Sequence, residues 1–422
     1  MSTKMKFRLP ELKLNSWMIW LGVLGLVLAA ALFAGLQVFI NGLWITNLTD
    51  LVPWGFWITL DLSSIALSAG AFTLCAAVYL IGLKRYQPIA RTATFVGLIG
   101  YTMAMLALLL DIGRPDRFWH ALVYWNDHSL LWEVTMCVML YLTVLAFESL
   151  PIFANFEWLK KRFPRLAGLM SHTHHYAPYL AIAGLGFSML HQSSLGAVYG
   201  VLKARPIWYK PEMAVLFMAS AIVGGISLTL FASMFAARLT PKARVNDILI
   251  ERVSYFVAWA LVGYLYFRFW DALAQHYTYE PGRTEGMEIL TSGPLSFNFW
   301  AIEMFLGTWV PMIMLLTPYT RKQPFWRMVA LGLVVIGVIA YRWDTNLSGL
   351  MVVVSYLPGP TTIQYTSYFP SLVELVSGLG IVAYGLLAFS LGVRYLKVVD
   401  HRVTVEEAET VKVESAQTMP AR

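Results

Sequence analysis

Long runs of apolar residues, separated by short polar connections, dominate this chain. A helix needs roughly 20 apolar residues to cross a bilayer's hydrocarbon core, so each such run predicts a spanning helix. The runs fall at residues 17–40, 54–83, 92–112, 130–150, 175–196, 211–236, 248–272, 297–316, 325–344 and 371–396, about ten in all. The first follows Lys4, Lys6, Arg8 and Lys13 in the manner of a signal peptide, but its length lets it span alone and it reads as an uncleaved anchor. The fold class predicted is all-α integral membrane, with a polytopic domain over 16–400 behind a cytoplasmic segment over 1–15. After Asp400 the chain turns acidic without apolar periodicity, which predicts a disordered tail over 401–422.

The polar connections carry an orientation and a repeat. Lys84, Arg85 and Arg91, then Lys160, Lys161, Arg162 and Arg165, then Arg238, Lys242 and Arg244, then Arg321, Lys322 and Arg327 mark every second loop, which the positive-inside rule makes cytoplasmic together with both termini. The loop holding Lys203, Arg205 and Lys210 runs against this pattern. SSIALSAGAFTL (63–74) echoes SAIVGGISLTL (220–230); LLWE with Glu133 echoes NFWAIE with Glu303; HQSSLG (191–196) echoes DTNLSG (344–349). Three landmarks in one order predict parallel repeats, two four-helix bundles over about 54–196 and 211–344 flanked by helices at 17–40 and 371–396. Small residues on any membrane helix face look alike, which is the plainer explanation of the echo.

Composition narrows the class. With 58% hydrophobic and 13% charged residues, the chain is a membrane protein, and its net charge of +7 sits in loops rather than in a nucleic-acid-binding patch. Cys75 and Cys137, both inside apolar runs, offer no spacing for an iron–sulfur cluster or c-type haem, so any such group is expected on another subunit.

Candidate chemistry lies in ionisable residues inside the spans, each costing a few kcal/mol unless it has a partner or a task. Asp61, Asp111, Glu133 and His191 fall toward the non-cytoplasmic ends of their helices, as do Arg268, Asp271, Glu303, Arg342, Asp344 and Glu374. A shared depth suits an amphipathic molecule whose head exchanges protons, such as a quinone, with His191 as donor or base and Asp61 and Asp111 as relays. Trp54, Trp57, Trp119, Trp125 and Trp132 would line the mouth. Plainer readings stand beside these: tryptophans as interfacial belt, Arg114-Pro115 as a helix stop, and Glu133 and Glu303 as companions of helix N-terminal dipoles. Glu303, Arg342, Asp344 and Glu374 form a second group, read either as a proton path or as a structural charge network.

At PWGFWITLD (53–61), DIGRPDRFW (111–119), LLWE (130–133), HQSSLG (191–196), RPIWYKPEM (205–213) and YFPSLVEL (368–375) the sequence resembles the NrfD/PsrC family, in particular its longer HybB-type branch of hydrogenase and menaquinone-reductase membrane subunits. The resemblance implies a subunit without haem or cluster of its own in a bacterial inner membrane. It implies menaquinone or another quinone bound near the periplasmic face, in a first-bundle pocket that falls here on Asp61, Asp111, Arg114, Glu133 and His191; Trp54, Trp57 and Ser194 are read as quinone-binding beside them, Trp57 standing where shorter members have a histidine. It further implies a periplasmic ferredoxin-like 4Fe-4S subunit linked to a hydrogenase, a molybdopterin enzyme or a multihaem cytochrome c. Two rivals remain: a dihaem b-type cytochrome, which needs facing histidine pairs, and a secondary transporter, which needs polar groups at the midplane.

Overall fold

In the computed structural model residues 15–401 are described, apart from 357 and 358. The tail expected over 401–422 lies outside these residues except for His401, and the segment expected over 1–15 except for Asn15. The long helices are α1 (Ser16–Asn41), α2 (Phe56–Ser68), α3 (Gly70–Tyr79), α4 (Gln87–Asp111), α5 (Leu130–Phe153), α6 (Ala177–Gly200), α7 (Met213–Leu239) and α8 (Asp247–Tyr277). There follow a short α9 (Arg283–Thr291), a π-helix (Asn298–Trp309) continued by α10 (Val310–Leu316), α11 (Pro324–Met351), a β1–β2 hairpin (Val352–Ser355, Thr362–Tyr365) and α12 (Leu372–Tyr395). Among the described residues nine helical segments are long and apolar enough to cross a membrane. α6 has the length, at 24 residues, but carries His191-Gln192-Ser193-Ser194 within it.

Between lipid-surrounded helices the hydrophobic effect adds little, and close packing through small residues takes its place. α2 runs into α3 with a break at Ala69, where one continuous helix over 54–83 was expected. Beside the break Gly70 meets Gly225 of α7 so closely that a Cβ on Gly70 would lie 2.4 Å from the Gly225 carbonyl oxygen. The small-residue stretches that echo each other in sequence are therefore the ones that cross. α2/α3, α4, α5 and α6 pack in a closed ring, and α7, α8, the π-helix with α10, and α11 pack in a second ring with the same order of neighbours. α1 and α12 pair along the first ring.

Two faces result. The basic loops 80–86, 154–176, 240–246 and 317–323 lie on one, where Thr92 bonds His401 at 3.2 Å and the Arg244 amide reaches the Val399 carbonyl. On the opposite, loop-rich face the hairpin after α11 docks through the Val354 amide on the Ala204 carbonyl. The aberrant basic loop is explained there. Arg205 donates to the Leu51 and Leu350 carbonyls, Lys210 pairs with Asp271 at 2.5 Å, and Lys203 sits 5.0 Å over the Tyr356 ring. Burial draws both the Lys210 ammonium and the Arg205 guanidinium below their usual ranges, the former opposed by Asp271. These cations are engaged within the fold. α11 also continues seven residues beyond the expected 344, and the hairpin after it carried no sequence signal strong enough to stand out from an uncharged loop.

Candidate functional site

In the first ring α2 presents Thr59, Ser63 and Ser68 to its own backbone: their hydroxyls bond the Gly55, Thr59 and Ser64 carbonyls, so these polar residues are satisfied without leaving the helix. Asp61 has no such outlet. It is 3% exposed, its Oδ1 has no partner, and it lies within electrostatic reach of Asp111, Tyr101 and Tyr199. His191 on α6 is fully buried; its Nδ1 lies 2.8 Å from the Tyr101 hydroxyl and its Nε2 has no partner. The adjacent Gln192 ties α6 to α2 through the Ile65 carbonyl at 3.0 Å, leaving its own Oε1 bare. Buried polar atoms are nearly always paired, yet Asp61, Asp111, His191 and Gln192 each keep one unpaired, as do Tyr141 and Ser188 of the same ring.

The structure gathers some expected residues and disperses others. Tyr101 bonds His191, and Tyr101, Tyr199 and Asp111 all lie within electrostatic reach of Asp61. Glu133 accepts from Ser194 at 2.6 Å, fastening α5 to α6. Trp54 stacks on Trp208 at 5.8 Å and lines a groove of about 430 Å³ with Leu130, Leu131, Val198 and Arg205 on the loop-rich face. Arg114 is not part of this group. Gly113 ends α4 in the left-handed region (φ +70°), and the chain turns out, leaving Arg114 exposed and paired with Asp116 at 3.2 Å. Its guanidinium holds the Asp116 carboxyl below the usual range. Trp57, expected at the mouth, is fully buried and donates to Ser377 of α12 at 2.9 Å.

The second expected group also divides. Glu374 belongs with α12: it closes a capping box with Ser371, accepts the Asn47 amide at 3.1 Å, takes the Tyr368 hydroxyl and lies within electrostatic reach of Asp111 in the first ring. Arg342 is fully buried, donates to the Phe217 carbonyl and Ser220 hydroxyl, and lies 3.7 Å over the Phe217 ring. Glu303 and Asp344 do converge. In the π-helix i→i+5 closure brings residues five apart onto one face, so Asn298 and Glu303 both turn to α11. There Asn298 bonds Asp344 at 2.8 Å and Glu303 lies in hydrogen-bond reach of the same carboxyl. Arg268 joins Glu303 at 2.5 Å and Asp271 at 3.5 Å.

Tyr101, Tyr199 and Asn346 were not singled out from sequence. Tyr101 sits mid-helix in an apolar run, where a lone hydroxyl needing a partner was the available signal. Asn346, bonded to Tyr199 at 2.9 Å and to the Trp54 carbonyl at 2.9 Å, joins the two rings and shows only in three dimensions.

The protein is 32% identical to the integral membrane subunit of menaquinone reductase from Nitratidesulfovibrio vulgaris, over 91% of its own length and 92% of that relative's. It is 26% identical to the integral membrane subunit of the Hdr-like menaquinol oxidoreductase of Archaeoglobus fulgidus (91% and 95% covered). It is 25% identical to the probable Ni/Fe-hydrogenase 2 b-type cytochrome subunit of Escherichia coli (84% and 85% covered). The family described as "Polysulphide reductase, NrfD" matches residues 44–354, a span that contains both rings, and the protein therefore belongs to the NrfD family.

Proposed function

We propose that this protein is the quinone-exchanging membrane subunit of a respiratory oxidoreductase, with its quinone head group held in the first ring by Asp61, Asp111 and His191. The observation that carries the reading is the buried acid–imidazole–phenol constellation with open atoms on Asp61, Asp111 and His191. A quinone's ring oxygens take up or release protons as electrons move, which calls for a donor and an acid or base at hydrogen-bond distance. With Tyr101 donating to Nδ1, His191 keeps its hydrogen on Nε2 and offers it to a quinone carbonyl, while Asp61 and Asp111 accept and pass on protons. The apolar groove beside Trp54 suits the approach of an isoprenoid tail. Menaquinone is favoured by the reductase relative that matches over most of the protein's length.

The loop-rich face is the proposed docking side for an iron–sulfur subunit, and through it for a hydrogenase, molybdopterin or multihaem cytochrome partner. Exposed Trp44, Phe118, Trp125 and Tyr279 give that face an apolar, aromatic character suited to burial. On this reading it is periplasmic and both termini are cytoplasmic. A haem in this protein is disfavoured by its histidines: among the described residues the spans hold buried His191, engaged by Tyr101, and His276, exposed near the end of α8.

Asp61→Asn and His191→Ala, each in the assembled complex, should lower quinone-linked electron transfer by about 100-fold or more, the scale of a lost acid–base group, with assembly intact. Normal turnover in both variants would refute the site. A stoichiometric b-type band in the reduced, purified subunit would replace this reading by the cytochrome one.

A further inference from the structure

The second ring contains a cavity of about 440 Å³ that the first-ring site does not use. It lies between α8 and the π-helix, which part toward the loop-rich face and close together again where α8 meets α10. Tyr266, Phe269, Trp300 and Trp309 stand at its rim and are exposed on the outer surface of the ring, so the opening is lateral. Its inner end is polar: Arg268, Lys210, Asp271, Glu303 and Asp344 all line it.

The charges at that end say what fits. Lys210 is paired with Asp271, and Arg268 with Glu303 and Asp271. Glu303 Oε2 and Asp344 Oδ2, each on a residue 1% exposed, have no donor, yet the two carboxyls lie in hydrogen-bond reach of each other. Two cations thus face three carboxyl groups, with which they are already engaged. An anionic lipid phosphate would find its cations already taken. A neutral head with hydroxyl or carbonyl oxygens can exchange hydrogen bonds with the open atoms of Glu303, Asp344, Gln275 and Tyr341, all of which line the cavity, and an apolar tail would leave between the rim aromatics into lipid.

We infer that this cavity is a second, laterally open binding site for a quinone or quinol, its head against Glu303, Asp344 and Arg268. The inference rests on the reading that the protein's ligand is a quinone, and it concerns binding alone.

The test is photolabelling of the whole complex in nanodiscs with an azido-substituted isoprenoid naphthoquinone, mapped by peptide mass spectrometry. Label is expected in two places, the first-ring helices and the α8/π-helix stretch 262–309. Ala272→Trp fills the cavity from an exposed position on α8 that carries no charge, and should cut the second label at least about tenfold while sparing the first. Glu303→Gln should weaken it comparably. Label confined to the first ring would overturn this inference and leave the proposed function standing; label in neither ring would sink both. Second-ring label undiminished by Ala272→Trp, or a phospholipid retained in the cavity that the quinone does not displace, would also overturn it.

Discussion

A carboxylate carried into an apolar region must collect donors, and Glu374 collects three, from the Asn47 amide, the Ser371 amide and the Tyr368 hydroxyl. Burial and this bond push the Tyr368 phenol up. Glu374→Ala strands those donors at a cost of about 1–3 kcal/mol each where no water replaces the carboxylate. The expected outcome is a lower unfolding temperature, read by thermal scanning. His401 behaves differently. Burial pulls its imidazole down to about 4 from an ordinary 6.5, so the packed segment 396–401 has its full stability above pH 6.5 and loses it as the pH falls toward 4. Hydrogen exchange of that segment should rise over this window, and a flat response would contradict the packing. Asp61 stood out in sequence as an acid with no helix end to excuse it, and His191 through its polar neighbours Gln192, Ser193 and Ser194 at the same depth; the outward turn of Arg114 at Gly113 had no such signal.

Among elements, the π-helix decides most. No periodicity in NFWAIEMFLGTW announces i→i+5 bonding, since the same apolar run suits an ordinary helix. The register comes from packing: Gly307 lies against Gly337 of α11 so closely that a Cβ would sit 2.2 Å from the Gly337 Cα, and Thr308 bonds the Glu303 carbonyl five residues back. The crossing of α3 with α7 is equally unforgiving. Gly225→Leu should cost more than the roughly 1–3 kcal/mol of ordinary overpacking, because backbone rather than a flexible side chain stands in the way. Its expected result is loss of folded protein from detergent extracts, whereas Gly263→Leu, where a Cβ meets nothing within 4 Å, should leave yield unchanged.

For the whole molecule, the alternation of helices puts basic loops on one face and aromatic loops on the other, and the proposed orientation assigns these to cytoplasm and periplasm. Cysteines introduced at Lys160 and at Trp125, both exposed, should be labelled by an impermeant maleimide from opposite sides of sealed vesicles, Trp125→Cys from the periplasmic side. Labelling of Trp125→Cys from the cytoplasmic side would invert the assignment. The all-α membrane class, the family and the rough position of most spans were legible from the sequence alone, because a bilayer makes every backbone bond local and a 20-residue apolar run admits one answer. Which buried groups meet was decided in three dimensions: Asp61 with Tyr101 and Tyr199, Glu303 with Asp344, and Glu374 near Asp111 rather than Glu303. Depth along a helix can be counted from sequence, but the direction a side chain faces depends on breaks, bulges and glycine contacts between segments far apart in the sequence, and only the packed rings set those.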